Sequence, residues 1–206
     1  MKTKITRQIF NVNFMVKKII FFFVQICFLH FANAQTNRPN IIVFLVDDMG
    51  WQDCSVPFYK EKTPLNALYK TPNMERLAVA GMKFTNAYAN QNCTPTRISL
   101  MTGMNPVNHG VNSWTFEKNI SPEEKPDQYL KTPQWNMNGF SPFGSYENTI
   151  YATPLPVLLK QGGYTSIHSG KAHFGAYGTP GSDPLNLGFD VNIGGSNWGH
   201  PKKGFL

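Results

Sequence analysis

Three short groups of residues in this 206-residue chain combine side chains able to do chemistry: Asp47-Asp48, Cys93-Thr94-Pro95-Thr96-Arg97, and Gly170-Lys171-Ala172-His173-Phe174-Gly175. Two adjacent carboxylates repel one another. A divalent cation removes that cost, and hard oxygen donors suit calcium or magnesium. The same pair could equally cap a following loop or helix. Pro95 suits a first helical turn, so Cys93 is expected just before a helix whose amino end favours anions, with Arg97 one turn along. An isolated cysteine can also be a small buried hydrophobe. Lys171 and His173 are two apart, so an extended backbone points both to one side, a cation beside a titratable imidazole. That pairing suits an anionic substrate, although either residue alone also fits a solvated loop.

The elements that must position these groups alternate in type. Ile41 to Val46 is an unbroken β-prone run, predicted as a strand buried on both faces of a parallel sheet, and it delivers Asp47-Asp48 to its carboxyl end. In open α/β sheets ligands gather at that end. Pro72 to Ala80 is predicted as a helix stopped by Gly81, and Met82 to Tyr88 as an extended segment. A further helix is expected over Pro156 to Gln161, closed by Gly162-Gly163, with a strand over Tyr164 to Ser169 before Gly170. This order predicts an α/β fold with crossover connections. Ser55–Lys70 and Ser113–Asn148 fit the alternation poorly and are read as surface insertions. The aromatics of the second are either packing within an irregular loop or a wall of a binding cleft.

The charge distribution narrows the partners. The chain carries a formal +7, yet the first 34 residues hold Lys2, Lys4, Arg7, Lys17 and Lys18 and no acid, leaving 14 basic against 12 acidic residues beyond them. The nearly neutral remainder gives no case for nucleic acid. A basic stretch, an apolar run from Ile19 to Phe31 and Ala32-Asn33-Ala34 have the order of a signal peptide over residues 1–34, cleaved before Gln35, with Met1 or Met15 as the start. The run, interrupted by Gln25 and His30, falls short of a membrane span, so export to a periplasmic or secreted location without a span after cleavage is expected. Bulky Ile26 before Cys27 argues against lipid attachment.

Arg38-Pro39-Asn40 leading into Asp47-Asp48, the pentapeptide Cys93-Thr94-Pro95-Thr96-Arg97 with Thr102-Gly103 downstream, Gly170 to Gly175, and Gly188-Phe189-Asp190 resemble the type I, formylglycine-dependent sulfatases of the alkaline phosphatase superfamily. The similarity runs in order from Arg38 to Asp190. It implies an alkaline-phosphatase-like α/β fold with a mixed, mainly parallel sheet flanked by helices. Residues 35–206 would form the amino-terminal part of the catalytic domain, a truncated piece, poorly soluble and inactive alone.

By the same resemblance the chain is an enzyme, a sulfuric ester hydrolase. A maturation enzyme oxidises Cys93 to formylglycine, whose hydrate is the nucleophile. Asp47, Asp48 and the oxygen at Cys93 bind a divalent cation, calcium in preference to magnesium. Arg97 holds the formylglycine, Lys171 contacts sulfate or hydrate, and His173 orients the second hydroxyl and assists its deprotonation. One hydroxyl attacks sulfur and expels the alcohol; the other lets the sulfated intermediate collapse to aldehyde and sulfate. The expected substrate is a sulfated small molecule or glycan, and His200 corresponds to a substrate-side histidine. Ala172 and Phe174 depart from the residues the family often has beside His173, and the family's later Asp-Asn metal pair, further lysine and leaving-group histidine have no counterpart in the 206 residues. Two alternatives stay open: a phosphonate or phosphodiester hydrolase of the same superfamily, or a catalytically inactive fragment. With Cys93 consumed, Cys54 is expected to be a free, packed thiol.

Overall fold

The computed structural model describes Phe21 and residues 38–122, 129, 131 and 133–200. The signal-peptide reading over residues 1–34 otherwise lies outside the described residues. No described helix is long and apolar enough to cross a membrane. The chain divides into two compact units, Met1–Val46 and Asp47–Leu206.

In the first unit, Ile41 to Val46 does not form the expected buried strand. None of these residues is assigned to a strand, and Ile42 and Phe44 are 88% and 85% exposed. A strand apolar on both sides is stabilised only by paired neighbours and layers over both faces, and among the described residues no strand pairs with it. In the second unit the expected extended segment at Met82 to Tyr88 likewise pairs with no strand among the described residues, and Met82, Phe84 and Tyr88 are exposed.

Among its described residues the second unit holds four α-helices: α1 (Pro72–Ala80), α2 (Cys93–Thr102), α3 (Pro106–His109) and α4 (Leu155–Gln161). Pro72 opens α1, as expected from a residue with its φ pre-set and no donor to lose, and the Gly81 N–H closes the helix onto the Leu77 carbonyl. Helix α2 begins at Cys93 itself, with Asn92 before it, and stops at Gly103, whose φ of 70° is a left-handed cap. At α3 the Asn105 side chain accepts from the Asn108 N–H.

Among the described residues four short strands form two parallel pairs: β1 (Gly139–Ser141) with β2 (Thr149–Tyr151), and β3 (Ile167–Ser169) with β4 (Val191–Ile193). Phe140 stands opposite Ile150, and His168 opposite Asn192. Strands, helices and parallel pairing make this the mixed α/β architecture the sequence implies. Asp190 ties α4 to the second pair, accepting from the Lys160 ammonium (2.6 Å) and the Ser166 N–H (2.9 Å).

The core gathers Ile98 of α2, Val111, Trp135, Phe140 of β1, Ala152, Ala172, Phe174 and Leu187. Each large apolar side chain removed from water contributes roughly 1.5–3 kcal/mol, so these contacts hold α2 against β1 and the β3–β4 crossover. The reading of Ser113–Asn148 as a surface insertion therefore fails in part. It supplies β1, a fully buried Phe140, and Trp135, whose indole N–H donates to the Ser121 hydroxyl. Trp114, Phe143 and Tyr146 of the same segment stay exposed. Ser55–Lys70 is also more than surface: Asn66 is fully buried and its amide donates to the carbonyls of Trp51, Gln52 and Cys54. Gly139 is required where it stands. Its φ is 81°, and a Cβ there would lie 2.5 Å from the Phe174 carbonyl oxygen.

Behind α2, the Asn90 amide donates to the Ser99 hydroxyl (2.7 Å), which lies 3.1 Å from His109 Nε2. The Val111 N–H donates to His109 Nδ1 (3.1 Å). That fixes Nδ1 as the acceptor and places the ring proton on Nε2.

Candidate active site

Asp47 and Asp48 open the second unit, Cys93 begins α2, and Lys171 and His173 lie on the crossover leaving the carboxyl end of β3. The crossover is where a parallel pair presents its ligand-facing loops. Asp48 has φ 54°, a left-handed conformation that Asp tolerates better than most residues. One ligand atom each from Asp47, Asp48 and Cys93 lie within 4.8 Å of one another.

Lys171 joins this cluster from across the unit. Its ammonium donates to Asp47 Oδ2 (2.6 Å) and to Cys93 Sγ (3.0 Å). Arg97, 6% exposed, donates to Asp47 Oδ1 (3.0 Å) and to the Lys171 carbonyl (2.7 Å). Burial pushes the Asp47 carboxyl up, but the hydrogen bonds and charges of Lys171 and Arg97 outweigh it and hold the group below the usual carboxylate range. Four of the residues singled out from sequence thus meet in one network spanning 124 positions of chain.

His173 is placed differently from the sequence expectation. Its φ of 55° is left-handed, so it does not share an extended segment with Lys171. The two still converge, because a Cβ at Gly199 would lie 3.6 Å from His173 Cε1 and 3.8 Å from Lys171 Nζ. His173 Nε2 lies 3.0 Å from the Thr115 carbonyl, an acceptor only, so the proton sits on Nε2. Nδ1 is buried without a hydrogen-bond partner among the described residues. Burial, and next the Lys171 charge, push the imidazole down to about 4, leaving it neutral at physiological pH. His200 stacks its ring on Trp198 at 6.0 Å and 13°.

The donor set fits a hard cation once the residue at 93 offers oxygen. Two carboxylates suit calcium or magnesium, whereas a thiol is a soft donor that such ions pass over. Conversion of Cys93 Sγ to an oxygen would make all three donors alike. Cys54 is the free, buried thiol expected, donating to the Val56 carbonyl.

Sequence reasoning missed Thr115 and the residues around it. Thr115 N–H donates to the Thr94 hydroxyl (3.2 Å) while its carbonyl takes the His173 proton, so the pentapeptide and His173 are linked through a residue with no motif of its own. No spacing rule joins positions 58 residues apart.

Comparison with known proteins identifies the family. The family model described as Sulfatase matches residues 39–203. The chain is 35% identical over 170 residues to the N-acetylgalactosamine-6-sulfatase of Rattus norvegicus, covering 81% of this chain and 27% of that protein. It is 29% identical over 160 residues to the arylsulfatase of Klebsiella aerogenes, covering 76% and 28%, and 42% identical over 80 residues to a sulfatase of Formosa agariphila, covering 35% and 14%. The chain belongs to the sulfatase family. It spans about a quarter of the length of the first two relatives.

Proposed function

We propose that this chain carries the nucleophile-bearing part of a sulfuric ester hydrolase acting on a sulfated carbohydrate in an exported compartment. The observation that carries this reading is the Lys171 ammonium bonded at once to Cys93 and to Asp47, inside a three-donor cluster. Cys93 in its pentapeptide is the site of conversion to formylglycine by a maturation enzyme. The hydrate offers two hydroxyls, one to attack sulfur as the alcohol leaves and one whose loss of a proton releases sulfate and restores the aldehyde.

Asp47, Asp48 and the oxygen at position 93 would hold the cation, which supplies positive charge to the sulfate oxygens. Calcium is favoured over magnesium because its coordination tolerates donors from separate segments. Lys171 binds the sulfate group and offsets charge developing on it, and Arg97 keeps Asp47 and the Lys171 backbone in place. The unpartnered His173 Nδ1 is the acceptor for the hydrate proton, and its neutral state keeps that lone pair available. His200 lines the substrate side. Sugar-sulfate specificity is supported by the similarity to the N-acetylgalactosamine-6-sulfatase of Rattus norvegicus, and export by the basic, apolar and Ala32-Asn33-Ala34 sequence at the amino end.

The test has two parts. Peptide mass spectrometry across Cys93, after co-expression with a maturation enzyme, should show thiol-to-aldehyde conversion; an unmodified thiol throughout would sink the reading. Hydrolysis of matched sulfate, phosphate-diester and phosphonate esters by the full-length protein then decides the reaction, a faster phosphate or phosphonate reaction selecting the other hydrolases of the superfamily.

A further inference from the structure

Beside His173 runs a continuous row of rings that the reaction itself does not use. Phe116 lies 5.2 Å from the His173 ring, Trp114 lies 6.2 Å from Phe116, Trp198 lies 6.0 Å from Phe116, and His200 stacks on Trp198. Exposure grades along the row. His173 is 1% exposed and Phe116 half-buried, whereas Trp114 and Trp198 are 41% and 43% exposed.

The backbone beneath the rings is firmly held. The Phe116 carbonyl accepts from the Tyr177 N–H (2.7 Å) and the Asn197 amide (3.2 Å), and the Ser196 carbonyl accepts from the His173 N–H (2.9 Å). Ser196 and Asn197 are buried immediately before exposed Trp198. Large apolar rings held open to water on an anchored backbone lose little conformational freedom when a ligand covers them. Gly199, next to Trp198, comes close to the cationic site: a Cβ there would lie 3.6 Å from His173 Cε1 and 3.8 Å from Lys171 Nζ.

We propose that Trp198 and Trp114, backed by Phe116, form a shelf that stacks the apolar face of a sugar ring whose sulfate ester reaches Lys171. The occupant follows from the shape. A pyranose has one apolar C–H face and a polar rim, so it is satisfied by an open, one-sided shelf that leaves its hydroxyls in water. An alkyl chain needs enclosure on all sides, which half-exposed rings do not give. The shelf is continuous with the cationic site, so a single ligand carries apolar ring and anionic ester together. This inference rests on the desulfating reading above for the sulfate, and on the rings alone for the sugar.

The experiment compares the matured full-length protein with its Trp198→Ala and Trp198→Phe variants on N-acetylgalactosamine 6-sulfate and on 4-nitrocatechol sulfate. Trp198→Ala should raise KM for the sugar ester about tenfold with kcat held, the loss of one well-placed aromatic contact. Trp198→Phe should restore most of it, and competitive inhibition by inorganic sulfate should not change. An unaltered KM for the sugar ester, or an equal rise for the aryl ester, overturns the shelf. If the matured full-length protein cleaves neither ester, the desulfating reading has failed. Tryptophan fluorescence with unsulfated N-acetylgalactosamine then decides the shelf: quenching that Trp198→Ala abolishes sustains it, and no quenching refutes it.

Discussion

Lys171 Nζ lies 3.0 Å from Cys93 Sγ and 2.6 Å from Asp47 Oδ2, so one ammonium ties the proposed nucleophile to the first of the acidic donors. The side chains of Asp47 and Lys171 are 40% and 12% exposed, and Arg97 still pairs with Asp47 when Lys171 is removed, so the pair contributes only about 1 kcal/mol to stability. Lys171→Ala should therefore cost little in melting temperature while lowering kcat on a sulfate ester by about a hundredfold or more, the scale of losing one charge-stabilising donor. Thermal melting and steady-state kinetics on the same preparation check both halves.

His173 makes stability sensitive to acid. Its imidazole titrates near 6.5 when unfolded and near 4 when folded. Stability is thus full above the higher value and lost as pH falls between the two, because the unfolded chain binds the extra proton. The loss should approach about 3 kcal/mol. Urea denaturation of the full chain at a series of pH values should show this limb, and His173→Gln should flatten it.

The acidic pair should make stability depend on a cation after Cys93 is matured. Calcium at a hundredfold excess over its dissociation constant should add about 2.7 kcal/mol to unfolding, with a chelator reversing it. Asp48→Asn is the cleaner variant, since Asp47 also serves Arg97 and Lys171. It should weaken calcium binding at least about tenfold, by analogy with losses seen around metal sites. Calorimetric titration reads this directly, and an unchanged affinity would remove Asp48 from the donor set.

Gly139→Ala should be among the most damaging single changes in the fold. The added methyl meets the Phe174 carbonyl at 2.5 Å and the φ of 81° is unfavourable for any side chain. A loss of about 3 kcal/mol or more in denaturant unfolding is expected. Phe140→Ala next to it should cost about 3–5 kcal/mol by emptying the core.

The motifs were legible because each is local chemistry on a local element. Cys93 and Arg97 sit one helical turn apart on α2, and α1 runs over the residues its proline and glycine mark. The strands were harder to read. Ile41 to Val46 has the composition of a buried strand, but a strand is completed by partners and none of the described ones pairs with it. The aromatics of Ser113–Asn148 were ambiguous for a related reason. Composition alone does not separate Phe140, which fills the core, from Trp114, which faces water. The tie from Thr94 through Thr115 to His173 was invisible, since it is made by one hydroxyl and one backbone carbonyl.

Ser99 and His109 stand at the spacing of a serine-hydrolase pair, yet the ring faces Ser99 with its proton and turns its lone pair to the Val111 N–H. A hydroxyl can be activated only by a nitrogen able to accept its proton, so Ser99 keeps the reactivity of an ordinary alcohol. Fluorophosphonate reagents that label activated serines should pass this protein by, and a serine-directed activity screen would miss it.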